Sequence, residues 1–260
     1  MFSKEIRDCL EELKNHHGAV ALKASFEDEG INDDDLTDLV LLSGCANLDV
    51  AVKIGGAEAN SDIDRCLRRG VIDIVAPMIE TTFAAGKFIT AAGIRSSALG
   101  ATNLGLHINL ETKTASQNIN EIISDHSDSL SGIVVGRSDL SKSMGLQKKD
   151  VDTTDVMNIV ESMLLKAKNA GLTTTMGGTI SASSVEHIAR LSISGLLNRY
   201  ETRAVVFELH GNSSHPKLIS AIGCALRYEQ LLLETRSVYH TIRAHGLTQR
   251  VMSIESRKNV

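Results

Sequence analysis

Aromatic residues make up only 3% of this 260-residue sequence, and tryptophan is absent. The chain therefore has few side chains that could stack on nucleotide bases, and its net charge of −5 does not suggest a polyanion partner. No stretch stays apolar for the roughly 20 residues that a membrane span needs. We therefore expect neither a nucleic-acid partner nor a membrane partner.

Cysteine and proline are also scarce. The four cysteines form no C-x-x-C pair, which argues against a zinc site or a disulfide framework and favours reduced thiols in the cytoplasm. The charged amino-terminal stretch predicts a short helix over residues 3–15 rather than a signal peptide. With two prolines and no low-complexity linker, residues 1–260 are expected to form a single domain.

Short apolar runs alternate with amphipathic stretches along the chain. The runs predict eight β-strands, over residues 19–26, 50–55, 72–77, 104–110, 131–136, 172–176, 195–199 and 204–209. This alternation indicates an α/β fold with a parallel sheet covered by helices. Eight strands favour a closed (β/α)8 TIM barrel over an open sheet, and no G-x-G-x-x-G follows the first strand. A long C-terminal helix is expected over about 215–247, with a neighbouring subunit as one candidate packing partner.

One connection does not fit this pattern. Only residues 200–203 separate the last two predicted strands, which is too few for a crossover between parallel strands. Either 195–209 is one bent strand region, or one of the predicted strands is false. The NRYETR stretch in this region places Arg199, Glu201 and Arg203 close together, as an internal ion-pair network or as a clamp for a substrate anion.

Polar residues share one face in three of the predicted strands. Because successive strand residues point to opposite faces, the apolar residues face the covering helices and the polar residues point into the barrel. The inward residues are Lys23, Ser25 and Glu27 of the first strand, Lys53 of the second, and His107, Asn109 and Glu111 of the fourth. Such groups are costly to bury unpaired, so they are expected to pair, to bind a metal or to bind a charged ligand. Those at the strand ends lie at the carboxyl-terminal mouth, where active sites of this fold occur.

A further polar stretch, IVVGRSDLSKSMG over residues 133–145, follows the fifth strand. Ser138 or Asp139 could cap the next helix there, or the stretch could form the rim of an active site. Three segments in order resemble successive blocks of the HpcH/HpaI aldolase/citrate lyase family, which belongs to the phosphoenolpyruvate/pyruvate barrel superfamily. They are IGGAEANSDIDRCLRRGVIDIVAPMIET, HINLETKTASQNINEI and GIVVGRSDLSKSMG.

The resemblance implies a metal-dependent carbon–carbon lyase of the class II aldolase type, acting on an α-keto acid such as pyruvate. Glu111 and Asp139 match the positions that hold Mg²⁺ or Mn²⁺ in the family, and two carboxylates plus waters suit such a cation. The metal would stabilise the enolate formed when a C–C bond breaks or forms. The implied partners are the keto acid, an aldehyde acceptor and further copies of the chain in a homo-oligomer.

Several positions depart from the family pattern. Lys53 stands where the family has an arginine that binds substrate oxygens, and lysine lacks the bidentate fork. Asn109 replaces a longer glutamine, and Arg137 could supply the missing guanidinium from another direction. The catalytic candidates are Lys53, Arg137 and His107, and the substrate-binding candidates are Lys53, Asn109, Gly136, Arg137 and Ser138.

Three other functions stay open. A Schiff-base aldolase would use Lys23 or Lys53, because burial can lower the pKa of a lysine inside a barrel. A citrate-lyase-like enzyme would act on an acyl-thioester and would need a basic entrance, which the sequence does not plainly show. The third is a barrel subunit without catalysis, and the presence of both Glu111 and Asp139 argues against it.

Overall fold

The computed structural model describes residues 3–211, 213–239 and 244–258. In this part of the chain eight strands form a closed barrel in chain order, which confirms the predicted fold. The strands are β1 (Ala19–Ser25), β2 (Asp49–Lys53), β3 (Asp73–Ala76), β4 (Gly105–Asn109), β5 (Gly132–Gly136), β6 (Thr173–Gly177), β7 (Arg199–Glu201) and β8 (Val205–Glu208). Strands β1 to β7 run parallel to one another.

The last two strands form a hairpin, which neither interpretation of residues 195–209 anticipated. β8 pairs antiparallel with β7, where Glu201 lies opposite Val206, and it also pairs antiparallel with β1. Antiparallel neighbours need no crossover, so the short connection over residues 202–204 is sufficient. The barrel closes with eight strands, and an antiparallel strand takes the place of the last parallel one.

Eleven α-helices accompany the strands in the described residues. They are α1 (Lys4–His17), α2 (Phe26–Glu29), α3 (Asp33–Ala46), α4 (Asn60–Leu67), α5 (Thr82–Leu99), α6 (Lys113–His126), α7 (Arg137–Ser143), α8 (Thr154–Asn169), α9 (Val185–Ile193), α10 (His215–Tyr239) and α11 (Ala244–Lys258). The predicted amino-terminal helix over 3–15 corresponds to α1. Over the described ranges, we find no helix with the length and apolar character of a membrane span.

The predicted C-terminal helix over 215–247 is two helices, α10 and α11, and residues 240–243 between them lie outside the described residues. α10 packs along α1 of the same chain, and α11 packs back onto α10. Ion pairs from Arg250 and Arg257 of α11 to Glu229 of α10 join the two helices. Packing on a neighbouring subunit stays a prediction.

The alternation along the strands divides the apolar residues into two layers. Outward-pointing Leu22, Val52 and Ile108 belong to the large core between the barrel and its helices. Inward-pointing Ala21 and Ala51 belong to a small separate cluster inside the barrel. The lysines two positions further along β1 and β2 therefore point to the carboxyl-terminal mouth.

Candidate active site

The carboxyl-terminal mouth holds a cavity of about 270 Å³. It brings together most of the predicted site residues, namely Lys53, Asn109, Glu111, Gly136, Ser138 and Asp139. These residues come from the ends of β2, β4 and β5 and from the segments that follow them. The parallel register places those strand ends side by side, so residues that are far apart in sequence face one another.

Glu111 follows β4 and is held by three neighbours. Its Oε1 accepts a hydrogen bond from the Met78 backbone N–H at 3.1 Å, and its Oε2 accepts one from Asn109 Nδ2 at 3.0 Å. Lys53 Nζ lies 3.8 Å from Oε1. Burial raises the pKa of Glu111 above its ordinary range and Asp139 adds to the rise, while Lys53 and the two hydrogen bonds oppose it. A buried carboxylate beside a second carboxylate favours a bound cation.

Lys53 ends β2 and carries the positive charge expected at this position. Its Nζ donates to Asp28 Oδ2 at 2.9 Å, in addition to the contact with Glu111. Burial lowers the pKa of the ammonium, but Glu111, Asp28 and Asp139 together outweigh burial and hold this pKa above its ordinary value. Lys53 is therefore a fixed cation and a poor nucleophile.

The first strand ends at Ser25, one residue earlier than predicted. As a result, a different acidic residue of the segment that follows contacts Lys53. Ser25 caps the short helix α2, because its Oγ accepts from the Asp28 backbone N–H at 3.2 Å. The chain is therefore helical from Phe26, and Asp28 rather than Glu27 forms the ion pair with Lys53. A serine in front of an acidic stretch is a helix-capping signal, so the sequence does carry a signal for this end.

The segment after β5 forms α7, with Gly136 at its N-cap. In the described residues, neither Ser138 nor Asp139 caps this helix with its side chain, so the capping interpretation is wrong. Asp139 lies in the first turn and lines the cavity, where Lys142 Nζ donates to its Oδ1 at 3.0 Å. The Ser138 hydroxyl is hydrogen-bonded to the Thr179 hydroxyl at 2.7 Å.

Two residues at the site have left-handed backbone conformations. Met78, at φ 52, is the residue whose N–H binds Glu111. Thr179, also at φ 52, lines the cavity and contacts Ser138. Such a conformation costs about 1–3 kcal/mol in a residue other than glycine. Both strained residues direct a polar group to the site, and no sequence signal pointed to either.

The structure does not bring the Arg137 side chain to the cavity, which corrects its predicted role as a catalytic and substrate-binding group. Its guanidinium is fully buried. Nε and Nη2 donate to the carbonyl oxygens of Gly177 and Gly178 at 3.1 and 2.9 Å, and Nη1 forms an ion pair with Asp152. Nη2 also donates to Ser184 Oγ at 3.2 Å. Arg137 therefore links the start of α7 to the end of β6 and to the segment that follows it.

His107 points into the barrel as predicted, but at the opposite end from Glu111. Its Nε2 lies 3.5 Å from Asp73 Oδ1, and a Cβ on Gly132 would lie 3.0 Å from its Nδ1. Asp73 and Gly132 are the first residues of β3 and β5, at the amino-terminal end of the barrel. The described residues that line the cavity do not include His107. Its position does not support the predicted catalytic role.

The residues around Glu111 fit a hard divalent cation. Glu111 and Asp139 supply carboxylate oxygens. Oδ1 of Asn109 is buried, and it meets no hydrogen-bond donor in the described part of the chain. A buried acceptor without a donor, next to two carboxylates, is an environment that an oxygen-preferring ion such as Mg²⁺ or Mn²⁺ would complete.

A second group of residues that line the cavity is basic. These side chains come from α7, the 3-10 helix Lys148–Asp150, the connection between β7 and β8, and α11. They are Lys142, Lys148, Arg203, Arg250 and Arg257. The fold therefore assembles a basic entrance that the sequence does not plainly show, because its cations are scattered along the chain.

The NRYETR stretch contains both an internal ion-pair network and a cation that faces the cavity. Arg199 forms an ion pair with Glu208 at 3.4 Å, and Glu201 forms one with Lys23. These two contacts are the internal network. Arg203 instead lines the cavity together with Glu201.

The fold is a closed eight-stranded barrel, and two carboxylates and a lysine line the cavity at its carboxyl-terminal mouth. A sequence profile described as HpcH/HpaI aldolase/citrate lyase matches residues 36–192, and the chain belongs to this family. No match to a curated protein is found.

Solved structures of related enzymes have the same fold. Citrate synthase SbnG is 17% identical, with a TM-score of 0.60 over 84% of this chain and 95% of that chain. An HpcH/HpaI aldolase/citrate lyase family protein from Burkholderia cenocepacia J2315 is 18% identical, with a TM-score of 0.59 over 77% and 84%. Haloferax volcanii malate synthase is 13% identical, with a TM-score of 0.61 over 84% and 64%. At these identities the similarity establishes the fold.

Proposed function

We propose that this protein is a divalent-metal-dependent carbon–carbon lyase of the aldolase type, which acts on an α-keto acid such as pyruvate. The observation that carries the proposal is the set of Glu111, Asp139 and the donor-free Oδ1 of Asn109 beside the fixed cation of Lys53. An aldehyde is the proposed acceptor. Homo-oligomeric assembly and a cytoplasmic location stay predictions.

The residues of the site have distinct roles in this reaction. A Mg²⁺ or Mn²⁺ ion held by Glu111 and Asp139 would supply positive charge opposite the developing enolate oxygen. Lys53 supplies a second positive charge for the substrate carboxylate, as a point contact rather than the fork of an arginine. Asn109 and the Met78 N–H hold the Glu111 carboxylate in one orientation.

We expect the protein to exchange the methyl protons of pyruvate for deuterium in D₂O with Mg²⁺, and to lose this exchange with EDTA. Glu111→Gln and Asp139→Asn should each slow exchange by about a hundredfold or more, because each removes a charged oxygen ligand from the metal. The measurement is the intensity of the methyl signal in proton NMR spectra over time.

Glu161→Gln is the matched control, since Glu161 forms a surface ion pair with Arg190 at 2.8 Å. This variant should exchange at the wild-type rate. Exchange that persists in EDTA, or that survives in Glu111→Gln, would overturn the metal-dependent mechanism.

The Schiff-base alternative gives a different result with borohydride. Lys53 is held charged by Asp28 and Glu111, and Lys23 forms an ion pair with Glu201. Because a charged ammonium does not attack a carbonyl group, sodium borohydride and pyruvate should leave both lysines unmodified in mass spectra of tryptic peptides. A reduced pyruvyl adduct on either lysine would favour the Schiff-base mechanism instead.

A citrate-lyase-like reaction on an acyl-thioester is the second candidate function. The basic side chains that line the cavity favour it, because they could bind the phosphates of a large thioester cofactor. Metal-dependent pyruvate exchange would not depend on such a cofactor, so the NMR experiment separates the two candidates.

A further inference from the structure

Four cationic side chains from three separate segments line the same cavity as Glu111. We call Lys148, Arg203, Arg250 and Arg257 the basic cluster. Lys148 begins a 3-10 helix, and Arg203 lies in the connection between β7 and β8. Arg250 and Arg257 are two turns apart on α11 and so lie on one face of that helix. The fold therefore assembles the basic cluster at the mouth.

The carboxylates nearest to the basic cluster do not balance its charge. In the described residues that line the cavity, Glu29, Glu229 and Asp28 interact with the four cations, and Asp28 is already paired with Lys53 outside the cluster. Glu229 is shared by two arginines: Arg250 Nη2 lies 3.3 Å from its Oε1, and Arg257 Nη2 lies 3.8 Å from its Oε2. The cluster thus keeps an excess of positive charge.

Arg203 and Lys148 are the unpaired members of the basic cluster. Both side chains are exposed, and neither has an ion pair or a hydrogen bond within the described part of the chain. The protein around Lys148 removes part of its hydration, which lowers its pKa, and repulsion from Arg257, Arg203 and Lys142 lowers it further. These side chains repel one another, so an anion bound between them would relieve the repulsion.

The basic cluster adjoins the proposed reaction site. Burial raises the pKa of Asp28, but the hydrogen bond from Lys53 and the charges of Lys53 and Arg203 outweigh burial and lower it. Arg203 therefore lies within electrostatic range of an acid that contacts Lys53. One substrate molecule could reach both groups, since they line one cavity.

We propose that the basic cluster is an anion subsite, which binds a phosphate group of the second reactant. Four cations facing two carboxylates suit a doubly charged anion, and the arginine fork matches the geometry of phosphate oxygens. The assignment to the second reactant rests on the proposed lyase function, whereas phosphate binding itself does not. The phosphate belongs either to a small phosphorylated aldehyde or to a thioester cofactor.

Isothermal titration calorimetry tests the subsite. Inorganic phosphate is titrated into the metal-free protein at low salt, and the binding heat gives the phosphate affinity. Arg203→Gln and Lys148→Gln should each weaken phosphate binding about tenfold, and the double variant should weaken it about a hundredfold. Arg190→Gln is the matched control, because Arg190 is paired with Glu161 on the surface. Equal phosphate affinity in the wild type and the double variant, or no binding at millimolar phosphate, would overturn the proposal.

Two competitors then distinguish the sources of the phosphate group. Displacement of phosphate by glycolaldehyde phosphate supports a phosphorylated aldehyde, and displacement by coenzyme A supports a thioester cofactor. Displacement by neither would overturn the assignment to a second reactant. Pyruvate exchange on the same preparation separates this proposal from the lyase proposal: exchange without phosphate binding removes only the subsite, and phosphate binding without exchange removes only the lyase.

Discussion

Gly136→Ala slows pyruvate methyl exchange about a hundredfold and leaves the fold intact, as we expect from the space around Gly136. Gly136 has a φ of −86, so alanine can adopt its backbone conformation. A Cβ at this position would lie 2.6 Å from Oε2 of Glu111 and 3.0 Å from its Cβ. Rotation of the carboxylate cannot relieve the second contact, so Glu111 must move as a whole. Displacement of a catalytic group by about 1 Å typically costs about a hundredfold in rate.

Gly93→Ala is the matched control, because Gly93 lies in α5 and a Cβ there meets no atom of the described residues within 4 Å. Alanine is the better helix former by about 1 kcal/mol, so this variant should exchange at the wild-type rate with an unchanged or higher Tm. The measurements are the NMR exchange rate and a thermal unfolding curve. A wild-type rate in Gly136→Ala would show that Glu111 is not held where the structure places it.

The period-two pattern of the strands predicted much of this site. Lys53, Asn109 and Glu111 could be assigned to the inner face because side-chain direction in a strand is a local property. Their convergence followed from the parallel arrangement of the strands, which the alternation with helices indicated. The position of Asp139 required the resemblance to a family, because nothing local shows which residue of a loop turns back to the mouth.

Other features depend on contacts between distant segments, which one sequence does not reveal. The barrel closes because β8 pairs antiparallel with β1, which lies far away in the chain. The basic cluster needs α11 to lie beside the connection that carries Arg203. The direction of the Arg137 side chain depends on the carbonyl groups of Gly177 and Gly178, at the end of β6, and the local sequence around Arg137 does not indicate these contacts. His107 points into the barrel, as the alternation along β4 predicted. Its position nearer the amino-terminal end of the barrel places it beside Asp73 and away from the cavity.

Arg137→Met lowers the free energy of unfolding by about 3 kcal/mol or more, as we expect for a buried ion pair that loses one partner. The Arg137 side chain is 0% exposed, and Asp152 is 19% exposed. The substitution leaves Asp152 without its ion-pair partner, and it leaves the carbonyl oxygens of Gly177 and Gly178 without the donors that Arg137 supplies. Methionine fills similar volume, so most of the loss comes from unpaired polar groups rather than from a cavity. Urea unfolding followed by circular dichroism measures the change.

The matched control for this prediction is Arg190→Met, which removes an exposed partner of Glu161. The Arg190 side chain is 49% exposed, and surface ion pairs contribute about 1 kcal/mol or less, so this variant should unfold almost like the wild type. A different result would support the sequence-based prediction that Arg137 binds substrate. If Arg137→Met unfolded at the wild-type urea concentration and raised the KM for pyruvate, the guanidinium would have to reach the substrate. The buried contacts with Gly177 and Asp152 argue that stability, and not KM, will change first.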